Sequence, residues 1–196
     1  MTSFHVSEFH DGLERRKDES SCIMSITTKR GDGGFTDLLF GGKAAKADPQ
    51  IAALGAVDEL NAALGLARVV MDGEAAEGID KVQKHLVTLM GELAMPEGKG
   101  VEYDKAGFGR IGEDEISWVE GWSADIEGDR KFKGWLRPGE NGGELAARLH
   151  VARTVARRAE REVWSVVDEV ASREVRIFLN RLSDTLWLMA RKSEES

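Results

Sequence analysis

Residues 28–42 read TKRGDGGFTDLLFGG, which sets Thr28, Lys29, Arg30, Asp32 and Thr36 among Gly31, Gly33, Gly34, Gly41 and Gly42. Glycine frees the backbone to approach a ligand closely, and successive backbone N–H groups beside two cations can wrap a polyphosphate. The stretch holds no G-x-x-x-x-G-K-[ST] phrase and no strand precedes it, so neither the Walker loop nor the dinucleotide fingerprint describes it. A flexible surface loop is the competing reading of the same composition.

A second group lies in ARTVARRAERE, residues 152–162. Arg153, Arg157 and Arg161 recur every four residues and so line one side of a helix. Like charges at that spacing repel by roughly 0.2–0.5 kcal/mol per pair unless an anion compensates. Arg158 lies off the row, and Glu160 and Glu162 neutralise part of it. The row is then either a solvated, salt-bridged face or a set of guanidinium forks aimed at phosphate or at a partner's carboxylate. Polar residues also interrupt apolar faces: Asp58 and Asn61 in one segment, Asn180, Ser183, Asp184 and Trp187 in another. A carboxylate on a packing face is costly unless paired, so Asp58 either meets a cation such as the arginine row or points to solvent. His85 and His150 stand alone, without the spacing of a metal site. No arrangement suggests a side-chain nucleophile.

These groups need elements to hold them. Asp48-Pro49 reads as an N-cap followed by proline at the first helical position. Ile51, Leu54, Val57, Leu60, Leu64, Ala67 and Val70 then predict a helix over 49–71. Further helices are expected over 75–94, 113–127, 143–170 and 173–192, with 97–112 a loop and 134–143 a turn. The first holds Asp58, the fourth the arginine row and the fifth Asn180. Five amphipathic helices without an alternating strand imply an all-α bundle.

The composition narrows the function. The chain has 196 residues and a net charge of −8, with Lys+Arg 27 against Asp+Glu 35, which argues against a general nucleic-acid binder. No apolar run approaches the roughly 18 residues of a membrane span. The single cysteine, Cys22, rules out an internal disulfide framework and fits a reducing cytoplasm. Residues 1–24 lack the apolar core of a signal peptide and are expected to form a poorly ordered extension before a bundle domain at 25–196. His5, His10 and Cys22, scattered in that polar stretch, do not amount to a metal site.

Three blocks in order carry a resemblance: TKRGDGGFTDLLFGG with KADP, then GAVDELNAALGLA, then HVARTVARRAERE with FLNRLSDTLWLMAR. Over residues 25–191 the chain resembles the PduO-type ATP:cob(I)alamin adenosyltransferases. The resemblance implies a five-helix bundle with ferritin-like up-and-down packing and a Gly-rich N-terminal nucleotide loop. It also implies a homotrimer with active sites between subunits. ATP would be held by Thr28, Lys29, Arg30, Gly31, Asp32, Gly34, Thr36 and Lys46, and by Arg157, Arg158, Glu160, Arg161 and Asn180. Arg153 and Asp58 match a pair that salt-bridges across the subunit interface in the family. Trp135 matches an aromatic residue on the corrinoid side, where the family phrase has Phe; here the phrase is Trp135-Leu136-Arg137-Pro138-Gly139-Glu140.

The implied reaction transfers the 5′-deoxyadenosyl group of ATP to cob(I)alamin, giving adenosylcobalamin and triphosphate, with Mg²⁺ accompanying ATP and no protein-bound metal. Cobalt is the nucleophile, which accords with the lack of one among the side chains. The implied partners are a reductase and an adenosylcobalamin-dependent enzyme, with no nucleic acid or membrane. A corrinoid carrier or chaperone on the same bundle is the alternative, and a purely structural helical oligomer is a third.

Overall fold

The computed structural model describes residues 27–132, 134 and 137–195. The expected extension at 1–24 and the aromatic candidate Trp135 lie outside the described residues. Six helices follow a small hairpin: α1 (Pro49–Arg68), α2 (Gly73–Leu93), α3 (Gly100–Lys105), α4 (Glu113–Glu127), α5 (Gly143–Val163) and α6 (Arg173–Glu194). The hairpin pairs β1 (Phe35–Asp37) with β2 (Lys43–Ala45) in antiparallel register, Thr36 opposite Ala44.

Side-chain pairs between helices give the direction of each. Arg158 of α5 meets Glu59 of α1 while Arg148 reaches the Leu66 carbonyl, so α1 and α5 run antiparallel. Gly78 of α2 lies under Trp122 of α4, and Lys81 and His85 meet Trp118, so that pair is antiparallel too. Arg181–Glu120 and Thr185–Ser123 show α4 and α6 running together. The five long helices therefore form an all-α bundle, as the apolar periodicity implies, with the up-and-down packing that the resemblance implies and α3 a short helix at one end.

The start of α1 follows its sequence closely. Asp48 accepts the Gln50 backbone N–H at 2.8 Å and Pro49 opens the helix. Its inward stripe, Val57, Leu60 and Leu64, is fully buried against Ile79, Val82, Leu86 and Leu89 of α2 and Leu149 and Val155 of α5. Each such aliphatic side chain contributes roughly 1.5–3 kcal/mol on leaving water. At Gly78, an added Cβ would lie 2.3 Å from the Trp122 ring, so glycine is what lets α4 sit flush on α2.

Four expectations need correction. The first helix stops at Arg68 rather than 71, because the chain must turn into Gly73, whose φ is +60°. The helix expected to reach 170 ends at Val163. Val166, Val170 and Ala171 remain buried in the turn that follows, so the apolar spacing outlasts the helical backbone. Within the expected loop 97–112, α3 forms because Tyr103 is buried and its ring needs a scaffold. The hairpin was not foreseen, since strands of three residues are too short to show an alternation.

Glu92 is the feature of this packing with the largest electrostatic consequence. It lies on the apolar row of α2, three residues after Leu89, and is 1% exposed. Burial pushes its carboxyl up to about 7, against the pull of the Ile111 N–H (2.7 Å to Oε1) and the Arg110 guanidinium (3.6 Å to Oε2). A carboxyl raised in the folded chain adds stability below the ordinary range near 4.5, and that contribution is lost as pH rises through about 7. The unsubstituted chain should therefore lose on the order of 2 kcal/mol between about pH 5 and pH 8 relative to Glu92→Gln. Urea unfolding of both proteins across that range checks it; parallel curves would refute the assignment.

Candidate nucleotide-binding site

The glycine-rich segment is built as two successive turns running into the hairpin. Asp32 N–H donates to the Lys29 carbonyl and Gly34 N–H to the Gly31 carbonyl, each at 3.3 Å. Lys46 N–H then closes back on the Gly34 carbonyl at 2.8 Å. Lys29 itself sits at φ +57°, an unusual conformation for a lysine. Thr28, Lys29, Arg30, Asp32, Gly34 and Lys46 are exposed, while Gly31 and Thr36 are half-buried. An added Cβ on Gly31 would lie 3.0 Å from Lys46 Nζ, so the Lys46 ammonium is laid directly over the turn. Arg30 is tied to Asp37 at 2.9 Å across the exposed surface. Two lysines and one arginine thus face solvent around a backbone turn, which is equipment for an anion of several charges.

The turn is docked on the end of α2. The last carbonyls of a helix lack intrahelical donors. Here Leu39 N–H donates to the Ala94 carbonyl at 2.9 Å, and Gln50 Nε2 donates to the Leu93 and Met95 carbonyls, each at 2.8 Å. Gly42 lies so close to Pro96 that a Cβ would come within 2.5 Å of its Cγ.

The second group lies on α5 and α6. Arg157 Nη1 donates to Asn180 Oδ1 at 3.1 Å and meets Glu160 Oε2 at 2.5 Å, while Arg161 Nη1 donates to the Arg157 carbonyl at 3.0 Å. Asn180 and Glu160 therefore fix the Arg157 guanidinium, yet its side chain stays 44% exposed. Arg158 is drawn instead to Glu59 of α1, and that hydrogen bond holds the Glu59 carboxyl below its ordinary range. The arginine row thus divides: Arg157 and Arg161 are presented outward, and Arg158 clamps two helices.

Asp58 and Arg153 do not meet within the chain. Both are half-buried, and among the described residues neither forms an ion pair; the Arg153 Nε is buried without a hydrogen-bond partner, as is the neighbouring Asn61 Oδ1. Nor does any hydrogen bond or ion pair among the described residues join the residues 28–46 to Arg157 or Asn180. One chain carries two separate groups of the expected site.

A cavity of about 500 Å³ opens at the other end of the bundle, between Met71, Lys81, Trp118, Trp122, Leu145 and Met189. The hairpin sits where α2 ends and this cavity where α2 begins, so a helix of 21 residues separates them. The end of α4 and the start of α5 lie at the cavity end, where Ile126 and Leu145 line it.

A model of the cobalamin adenosyltransferase family matches residues 26–193, nearly all of the described chain. The chain belongs to that family. It is 38% identical over 175 residues to the corrinoid adenosyltransferase of Mycobacterium tuberculosis, covering 86% of this chain and 88% of that protein. Its identity to the corrinoid adenosyltransferase PduO of Salmonella typhimurium is 37% over 177 residues, 87% of this chain but half of that longer protein. Among solved structures, a variant of the PduO-type ATP:corrinoid adenosyltransferase from Lactobacillus reuteri, complexed with cobalamin and ATP, matches with a TM-score of 0.76 and 31% identity. That match covers 87% of this chain and 94% of the other. As a member of the cobalamin adenosyltransferase family the chain is a transferase.

The residue reading did not find Glu92 or the buried His150–Glu194–Arg191 group, in which His150 Nε2 lies 3.0 Å from Glu194 Oε1 and Arg191 Nε lies 3.5 Å from Glu194 Oε2. Glu92 had a signal, a carboxylate in register with Leu86 and Leu89. His150 and Glu194 are 44 positions apart and had none.

Proposed function

We propose that this adenosyltransferase moves the 5′-deoxyadenosyl group of ATP to cob(I)alamin, with Thr28–Thr36 and Lys46 receiving the triphosphate of ATP beside Arg157, Arg161 and Asn180. The observation that carries the reading is the Arg157 guanidinium, fixed by Asn180 and Glu160 and left open to solvent. A rigid, outward guanidinium suits charge that develops on a leaving group, because its donors need no reorganisation as the bond breaks. In the reaction the cobalt electron pair forms the Co–C5′ bond while the C5′–O bond breaks, and its electrons leave with triphosphate. Lys29, Arg30 and Lys46 neutralise that product, and the site's further task is to hold C5′ in line with cobalt.

Arg158 takes a supporting role in this proposal, holding α5 to α1 through Glu59 so that the row keeps its orientation. Among the described residues no group of three His, Cys, Asp or Glu side chains gathers. In this proposal Mg²⁺ accompanies the phosphates, whose oxygens and water make the shell that this ion prefers. Trp135 is assigned to the corrinoid side on the family phrase alone.

The site takes residues from two subunits of a homotrimer in this reading. Asp58 of one copy meets Arg153 of the next, which would account for two half-buried charges that form no ion pair among the described residues. The catalytic unit spans 25–196. The setting is the cytoplasm, with a reductase supplying the Co(I) corrinoid and an adenosylcobalamin-dependent enzyme taking the product. Among the described residues no helix is long and apolar enough to cross a membrane.

Anaerobic mixing of the protein, MgATP and chemically reduced cob(I)alamin should convert the corrin spectrum to that of adenosylcobalamin with one triphosphate released per turnover. ATP binding without conversion would instead indicate a carrier. Arg157→Ala should keep its assembly and lose at least about tenfold in turnover, ~1.4 kcal/mol of barrier; an unaltered rate would remove Arg157 from the mechanism. Asp58→Arg and Arg153→Asp should each dissociate the trimer in sedimentation, and the double variant should restore it. Trimeric single variants would refute the interface pairing.

A further inference from the structure

Phe40 is the large apolar residue at the tip of the hairpin, and its backbone is left-handed, at φ +54° and ψ +27°. A bulky residue holds that conformation only where surrounding contacts impose it, and such positions gather at functional sites. Three contacts impose it here. Leu38 N–H donates to the Gly42 carbonyl at 2.8 Å, Leu39 N–H donates to the Ala94 carbonyl at 2.9 Å, and the Phe40 ring meets the Phe108 ring edge-to-face, 6.2 Å between centroids at 71°. The ring remains 43% exposed, so it adds little to the core.

Phe108 continues a stack that leads into the bundle. It stacks on Tyr103 with the ring planes inclined by 29° and centroids 5.0 Å apart, and the Arg110 guanidinium covers the Tyr103 ring at 4.9 Å. Tyr103 donates its hydroxyl to the Gly109 carbonyl at 3.1 Å. Arg110 bonds Asp104 at 2.8 Å and faces Glu92, which accepts the Ile111 N–H. The same segment reaches the α5–α6 connection, where Gly98 N–H donates to Glu169 Oε1 at 2.8 Å. The stack is therefore fixed to α2 at its foot and carries the hairpin at its head.

We propose that Phe40 is a positioning residue that sets ATP affinity by seating the nucleotide turn on the Phe108–Tyr103–Arg110 stack. This rests on the reading that residues 28–46 bind ATP. The β1–β2 hairpin lies between Phe40 and the turn at 29–34, and Lys46 follows directly after β2. A hairpin freed at its tip lets the Lys46 ammonium and the Gly31 turn move apart, so cation and backbone no longer present one anion site. The binding free energy then has to cover the ordering of that segment. The chemistry at C5′, which depends on Arg157 and the corrinoid, is not touched.

The test uses the full chain with MgATP and cob(I)alamin. Phe40→Asn tolerates the left-handed backbone but removes the ring, Phe108→Leu removes the edge-to-face partner while keeping apolar volume, and the double variant closes a cycle. Each single variant should raise the MgATP Kd by calorimetry, and the KM for ATP, by about three- to tenfold. Turnover at saturating ATP should change by less than about twofold, and the thermal midpoint of Phe40→Asn should stay put. The double variant should be no worse than the weaker single, because both remove one contact. Unchanged Kd in the single variants, or fully additive losses, would overturn the role of Phe40 alone. Failure of the unsubstituted chain to bind MgATP would overturn the underlying site instead.

Discussion

The end of α2 is the anchor for the glycine-rich turn and its hairpin. Its last carbonyls lack helical donors, and a buried C-terminus cannot leave them to water. Gln50 at the start of α1 satisfies Leu93 and Met95, and Leu39 of the hairpin satisfies Ala94. Just before Leu93, the Glu92 side chain takes the Ile111 N–H and faces Arg110. The start of α1 and the hairpin are thus pinned to one helix end by its hydrogen-bond deficit, and the 110–111 segment by the Glu92 carboxylate. The glycine-rich turn draws its footing from there, since its own backbone bonds are two turn contacts at 3.3 Å and the Lys46 closure on Gly34.

Charge distribution follows a consistent division between structural and presented groups. The chain carries an overall negative charge, yet it surrounds the turn with Lys29, Arg30 and Lys46 and exposes Arg157 and Arg161 on α5. Arg158, Arg110 and Arg176 are spent on the fold: Arg158 on Glu59, Arg110 on Asp104 and Glu92, Arg176 on Asp168 and the Val166 carbonyl. What distinguishes the presented arginines is a partner that fixes the guanidinium without covering it. For Arg157, the Asn180 amide oxygen and the Glu160 carboxylate orient the fork and leave the side chain 44% exposed.

The unsatisfied polar atoms on α1 and α5 have the same logic on a larger scale. Arg153 Nε and Asn61 Oδ1 are buried without partners, and Asp58 beside them has no ion pair among the described residues. Native chains leave few such groups. Their grouping on two adjacent helices accords with a surface that a second copy completes. It also accords with the separation of the residues 28–46 from Arg157 in a single chain.

The five long helices and their inward stripes were legible in the sequence, because amphipathic spacing and capping chemistry are local. Asp48-Pro49 starts α1 where the sequence says it must, and Val57, Leu60 and Leu64 point inward as their spacing requires. The same spacing overran α5 into 164–170, since burial at the bundle end continues after the backbone has turned. Family membership was legible too, through the glycine-rich block and the arginine phrase. Tertiary structure alone decided where each arginine points, since Arg157 and Arg158 are adjacent, yet one meets Asn180 of α6 and the other Glu59 of α1. It alone stacked Phe40 on Phe108 and set Glu92 beside Arg110. Those pairings join positions on separate elements, and their energies depend on burial and geometry that no local pattern encodes.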